Sequence, residues 1–199
     1  MHCGIILLAA GGSLRLGKPK QLLLYKGQTL LNHSLRAAIA TCKDNVVVVT
    51  GSNAAIMQRE IDEKTVTIVV NSDWQKGMAS SIVKGLTMVL EKHPLTDAVM
   101  IMACDQPFID AKLLKELMKT QQQTGKWIVT SDYGDITGPP TLFHKELFEE
   151  LRSLEGDKGA RMIVGKHTNE TTSVSFPLGR IDIDTIEDYE TLIQKNNNK

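Results

Sequence analysis

Three glycines and three cations crowd one short stretch of this chain. Leu8-Ala-Ala-Gly-Gly-Ser-Leu-Arg-Leu-Gly-Lys-Pro-Lys-Gln-Leu22 carries Gly11, Gly12 and Gly17 beside Arg15, Lys18 and Lys20. Glycines let backbone N–H groups approach an anion closely, and the Ser13 hydroxyl adds a donor. The cations offset the charge of several phosphates. The stretch reads as a polyphosphate-binding loop; the plainer reading is a strand-to-helix turn with solvated cations. Far along the chain, Asp105 ends the apolar run Ala98-Val-Met-Ile-Met-Ala103, and Asp182 and Asp184 stand two apart in Arg180-Ile-Asp-Ile-Asp184. A hard cation such as Mg²⁺ takes carboxylate and phosphate oxygens and keeps several waters. Asp105 reads either as its ligand or as a cap for the helix beginning near Asp110. In an extended segment Asp182 and Asp184 share a face while Ile181 and Ile183 point into the core. Thr185 then reads as an N-cap, with Asp188 three residues on.

Three further loops could hold a second ligand. In Asp73-Trp-Gln-Lys-Gly-Met-Ala-Ser-Ser-Ile82, Gly77, Ser80 and Ser81 offer donors to an anion or a base edge, or simply cap a helix. Trp74 beside them could stack on a ring system. Gly138-Pro-Pro-Thr-Leu-Phe143 reads as a rigid turn into a strand or as an acceptor loop. Gly156-Asp-Lys-Gly-Ala-Arg161 reads as a helix start capped by Asp157 or as part of the same acceptor site. Two common nucleotide patterns fail. Gly12 to Lys18 fits G-x-x-x-x-G-K, but Pro19 stands where a P-loop needs Ser or Thr. No G-x-G-x-x-G occurs, and Thr50-Gly51-Ser52 stands where a dinucleotide site has an acidic residue, which argues against a nicotinamide-dependent oxidoreductase.

Leu8 to Lys20, read as L-A-A-G-x-S-x-R-x-G-x-x-K, resembles the nucleotide-binding signature of the molybdenum cofactor nucleotidyltransferases. Cys104-Asp-Gln-Pro107, Asp182-Ile-Asp-Thr-x-Glu-Asp188 and the Gly77, Gly138 and Gly156 loops are similar to that family's other motifs, in family order from Leu8 to Tyr189. The resemblance implies transfer of CMP or GMP from a nucleoside triphosphate to the terminal phosphate of molybdopterin, with Ala10-Gly11 and Gly77-Met-Ala-Ser-Ser-Ile82 closer to the cytidylyl branch. It implies nucleotide binding by Leu8, Ala9, Ala10, Gly11, Gly12, Ser13, Arg15, Lys20, Gly77, Ser80 and Ser81. Arg15, Lys20 and Asp105 become the catalytic groups, Asp105 and Asp184 the Mg²⁺ ligands. Gly138, Pro139, Asp157, Arg161 and Asp182 fall on the acceptor side. The implied partners are CTP, a molybdopterin-type acceptor, and a molybdoenzyme or its chaperone. Where the family usually has Pro after the Thr, this chain has Ile186, a change at the helix start that reads as structural. A sugar-phosphate or polyol-phosphate nucleotidyltransferase is the neighbouring reading, and a non-catalytic cofactor-binding chaperone, which needs no paired carboxylates, is another.

These loops need a scaffold that sets them side by side. Apolar runs at 4–9, 45–50, 66–70, 98–103 and 127–130 have the continuous hydrophobicity of parallel strands covered on both faces. Between them run helical stripes: Leu30, Leu31, Leu35, Ala38 and Ile39, then Met78, Ile82, Leu86, Val89 and Leu90, then Ala111, Leu114, Leu117 and Met118. Strand and helix in alternation predict one α/β domain over 1–199, an open, mostly parallel Rossmann-like sheet with helices on both faces and 196–199 as a frayed tail. Ligands of such sheets bind beyond the carboxyl ends of the strands. The composition agrees: 42% hydrophobic residues suffice for a core, and 23 basic against 23 acidic residues give a net charge of +0. That balance argues against a nucleic acid or an anionic membrane as partner. Cys3, Cys42 and Cys104 form no disulfide or zinc pattern, and the five histidines show no metal-ligand spacing. The apolar start is too short for a signal peptide or membrane span, so a cytoplasmic protein is expected.

Overall fold

The computed structural model describes residues 1–13, 16–62 and 65–197, with backbone alone at 195–197. Seven strands form one sheet in the order β5-β4-β1-β6-β8-β7-β9. They are β1 (Cys3–Ala9), β4 (Val46–Thr50), β5 (Thr67–Val70), β6 (Ala98–Ala103), β7 (Ile128–Asp132), β8 (Thr137–His144) and β9 (Thr171–Ser175). A small hairpin, β2 (Leu24–Tyr25) and β3 (Gln28–Thr29), stands apart. All neighbours in the large sheet pair in parallel except β8, which runs against both β6 and β7.

The central strands are apolar at every position because both faces are covered. Ile5, Leu7 and Ala9 of β1 face a core shared with α1 (Leu30–Cys42), α2 (Ala54–Glu60) and α4 (Ala111–Thr124). Ile6 faces the opposite core, with α3 (Met78–Lys92), α5 (Phe148–Arg152) and α6 (Arg161–Lys166). Gly85 lets α3 lie close: a Cβ there would stand 2.9 Å from Val49 and collide with Ile6. A third, smaller core at one end of the sheet joins Leu16, Leu23, Tyr25, Leu30, Ile183 and Leu192, tying the hairpin to α7 (Ile186–Asn197). No helix among the described residues is long and apolar enough to cross a membrane.

The open, mostly parallel α/β sheet is as expected, with three differences. Residues 180–184 form no strand; a 3-10 turn, Pro177–Arg180, leads into irregular backbone. The alternation survives there, since Ile183 is fully buried while Asp182 is exposed. Met78 begins α3 but is 51% exposed, so it belongs to the surface of the site rather than to the helix interior. The backbone of α7 runs on through Asn197, and residues 198–199 of the expected tail lie outside the described residues.

Candidate active site

The chain leaves β1 to one side, reaching β4 and β5, and crosses back to β6 on the other. This topological switch opens a crevice between the carboxyl ends of β1 and β6. A cleft of about 350 Å³ lies there, walled by Leu8 to Gly11 on one side and Ile101 to Asp105 on the other. Lys20, Gln21, Trp74, Gly77, Met78, Ser81, Pro139 and Asp157 complete the lining. Because β8 is antiparallel, its beginning at Gly138 reaches the same rim.

The glycine loop is shaped by its own polar groups. Gln21, 1% exposed, donates from Nε2 to the carbonyls of Ala9 (3.1 Å) and Gly11 (3.0 Å), drawing both inward. The Lys20 amide donates to Ser13 Oγ at 3.0 Å, closing the loop on itself. Gly12 packs under Trp74, whose ring would be 3.3 Å from a Cβ at that position, whereas Gly11 has open space. Arg15 lies outside the described residues.

The carboxylates converge on one ammonium. Lys20 Nζ donates to Asp105 Oδ2 at 2.6 Å and to Asp184 Oδ1 at 2.8 Å. Burial pushes the Lys20 ammonium down, but Asp105 and Asp184 outweigh it and hold the group above the ordinary lysine value. The carboxyl of Asp182 is held up, first by partial burial and then by the charges of Asp105 and Asp184. Two features bring these distant segments together. The Ile183 amide donates to the Asp105 carbonyl at 3.1 Å, and Ile183 itself is locked in the third core. Beyond it, the Asp188 carboxylate accepts from the Thr185 amide and hydroxyl, both at 2.8 Å, while the Asp188 amide donates back to Thr185 Oγ1. That reciprocal cap fixes where α7 starts. Asp105 is not a helix cap: Asp110 takes that role, accepting from the Leu113 amide at 2.8 Å.

Leu8, Ala9, Ala10, Gly11, Lys20, Gly77, Ser81, Asp105, Pro139 and Asp157 therefore line one cleft, with Asp184 reached through Lys20. Ser80 turns elsewhere: its hydroxyl lies 2.8 Å from the Gly77 carbonyl and 3.0 Å from that of Asp73. Asn71, at the end of β5, donates from Nδ2 to the hydroxyls of both Ser80 and Ser81 at 2.9 Å and so sets this turn. Asp157 does not cap α6, whose N-cap is Ala160; its carboxylate instead packs against Gly77. Gly138, Pro139 and Arg161 line a second, mostly apolar pocket of about 320 Å³, with Lys158 among its polar members. The two cavities share Met78, Ile101 and Pro139. Cys104 faces the cleft wall as an inert thiol, which burial and the neighbouring Asp105 charge push up to about 12.

The donor set suits a hard divalent cation. Asp105 and Asp184 already converge on a positive charge, and Asp182 adds a third carboxylate close by. Among the described residues no three His, Cys, Asp or Glu side chains form a ready-made metal cage. Mg²⁺ requires none, since it is commonly held by one or two carboxylates together with substrate phosphates.

The chain is 29% identical over 199 aligned residues to nicotine blue oxidoreductase of Paenarthrobacter nicotinovorans, covering 94% of this chain and 95% of that one. It is 28% identical to the purine catabolism protein PucB of Bacillus subtilis, covering 93% of each. Among solved structures, Rv0371c of Mycobacterium tuberculosis superposes with a TM-score of 0.85 at 29% identity over 98% of both chains. That protein has also been solved in complex with manganese. The model of the MobA-like NTP transferase domain matches residues 5–171, and the chain belongs to this family of nucleotidyltransferases.

Proposed function

We propose that residues 1–199 act as one catalytic unit that transfers CMP from CTP to the terminal phosphate of a molybdopterin-type acceptor, with Mg²⁺, and releases pyrophosphate. The observation that carries this reading is the convergence of Asp105 and Asp184 on Lys20 beside the glycine loop, at the open end of the β1–β6 crevice. The acceptor phosphate is ionised at neutral pH, so no protein nucleophile is needed. It attacks the α-phosphorus in line, and the chain's work is positioning and charge neutralisation. Backbone amides of Gly11 to Ser13 and the Lys20 ammonium hold the triphosphate. Asp105 and Asp184 would hold the cation, which would supply neutralisation of the charge building on the phosphate oxygens. The neighbouring apolar pocket, with Lys158 and Arg161 among its lining, suits a flat heterocycle carrying an anion.

Thermal unfolding with CTP, GTP, ATP, UTP and NAD, each with and without Mg²⁺, tests the reading. A ligand at a hundred times its Kd adds about 2.7 kcal/mol, roughly 5–10 °C for a chain of this size. A Mg²⁺-dependent shift with CTP supports cytidylyl transfer, and radiolabelled transfer from [α-³²P]CTP to molybdopterin completes it. The same shift with GTP alone overturns the base and keeps the mechanism. The relative named as an oxidoreductase motivates a second reading, a nicotinamide-dependent enzyme on this fold. A shift with NAD and none with any triphosphate would favour it.

A further inference from the structure

One buried amide ties the carboxylate loops to the wall of the apolar pocket. Gln106, next to Asp105, is 5% exposed and donates from Nε2 to Tyr133 Oη at 2.8 Å and to the Gly179 carbonyl at 2.7 Å. The Tyr133 hydroxyl, having accepted from Gln106, donates its proton to the Pro139 carbonyl. The ring of Tyr133 is slotted between two glycines. A Cβ on Gly138 would stand 2.6 Å from Tyr133 Oη, and one on Gly179 would collide with the ring. Phe176 braces it edge-on, at 6.2 Å between centroids.

Resting on the transfer reading above, we propose that Tyr133, oriented by Gln106, is a positioning residue that fixes the acceptor pocket relative to the carboxylates. Three segments meet on it. Gly138 lines the apolar pocket, and Pro139 after it belongs to the wall shared by both cavities. Gly179 belongs to the turn that leads to Asp182 and Asp184. Gln106 is the residue after Asp105. A phenol at this junction sets the distance and angle between the acceptor and the nucleotide held on the β1 side, and misplacement by ~1 Å costs on the order of 10²-fold in rate. Tyr133 is not a proton carrier: burial, with the charges of Asp105 and Asp182, pushes its hydroxyl up to about 12, so it keeps its proton throughout the neutral range.

The test is Tyr133→Phe, which keeps the ring in its slot and removes both hydrogen bonds, with Gln106→Leu as a second variant. With Mg²⁺, CTP and molybdopterin, kcat/KM for the acceptor should fall about 10-fold, the lower end of what loss of a supporting hydrogen bond costs. KM for CTP in Tyr133→Phe should stay within about two-fold, because the glycine loop is held by Gln21 and Trp74 rather than by Tyr133. Amide hydrogen exchange on the ligand-free chain gives a readout independent of turnover. In both variants exchange at the amides of Thr137, Gly138 and Thr141 and at 179–184 should accelerate together. Unchanged acceptor kinetics in Tyr133→Phe, or faster exchange in one segment alone, overturns the proposal. A wild-type chain that transfers nothing sinks the transfer reading itself, and the exchange pattern then decides whether Tyr133 joins these segments.

Discussion

Lys20 donates to Asp105 across 2.6 Å, joining two residues 85 positions apart, and the same ammonium reaches Asp184 at 2.8 Å. The site therefore carries its own cation between the groups that attract one. Lys20→Ala removes that charge from both the carboxylates and the triphosphate. Its KM for the nucleotide is expected to rise by roughly 10-fold, the worth of a charge-assisted contact or two. Asp105→Ala is expected to lower kcat by roughly 10²–10⁴-fold, as for loss of one electrostatic group, here a carboxylate that would hold the charge-neutralising cation. Steady-state kinetics check both; wild-type turnover in Asp105→Ala removes that carboxylate from the mechanism.

Gly77 holds the turn before α3 with φ of +104°, and a Cβ there would meet the Gly156 carbonyl oxygen at 2.5 Å and the Asp157 carboxylate. Gly77→Ala thus brings left-handed strain and a collision with backbone. A loss of about 1–3 kcal/mol is expected, seen as a Tm lower by roughly 2–4 °C per kcal/mol. Scanning calorimetry measures it, and an unchanged Tm shows that the 156–157 segment moves away freely.

Cys42 and Cys3 differ in reactivity although they are neighbours. The hydrogen bond from Cys3 lowers the Cys42 thiol, and Cys42 is only partly buried. Cys3 is buried and raised well above its ordinary value, and Cys104 is raised to about 12. Since the thiolate is the nucleophile, iodoacetamide at pH 7.5 should label Cys42 well before the other two. Peptide mass spectrometry over a time course reads the order, and early labelling of Cys104 contradicts its placement.

Asp188 carries a pH signature. The Thr185 hydroxyl, the Thr185 amide and the Asp184 amide all favour its ionised form, so its carboxyl lies below the ordinary value in the folded chain. A depressed folded pKa means that the stabilisation is complete above the unfolded value of about 3.9 and disappears as pH falls through the lower folded value. Asp188→Ala should cost about 1 kcal/mol at pH 7, typical for a helix cap. The Tm difference from wild type should close as pH is lowered from 5 to 3; a constant difference would assign the loss to packing.

The parallel strands and the two functional loops could be read from residues because each was a local pattern: consecutive apolar positions, then Gly with Lys, or apolar residues then Asp105. What escaped was long-range or compositionally weak. A turn into a strand could be read at 138–143, but not that Gly138-Pro-Pro, residues that ordinarily break strands, lies inside β8 or that β8 runs antiparallel. β9 is Thr-Thr-Ser-Val-Ser on the sheet's edge, with little apolar content to mark it. The extended segment expected at 180–184 keeps its alternation but has no ladder, because Ile183 is anchored by the small core rather than by a neighbouring strand. Gln21, Asn71 and Tyr133 carried no motif, and Gln106 stood in Cys104-Asp-Gln-Pro107 without a role of its own; each matters through a partner made adjacent only by folding.

The reversed direction of β8 has a consequence for how this scaffold can change. The turn 133–136 joins β7 to β8 at the catalytic rim, while the glycine loop and the Gly77 turn arise from β1 and β5, across the sheet. On the transfer reading, the loops that would grip the triphosphate and the 133–139 stretch that lines the apolar pocket thus come from separate parts of the chain. Lengthening or recolouring the 133–136 tip would then reshape the apolar pocket, which Tyr133 and Ile136 line, and leave the glycine-loop cleft as it is.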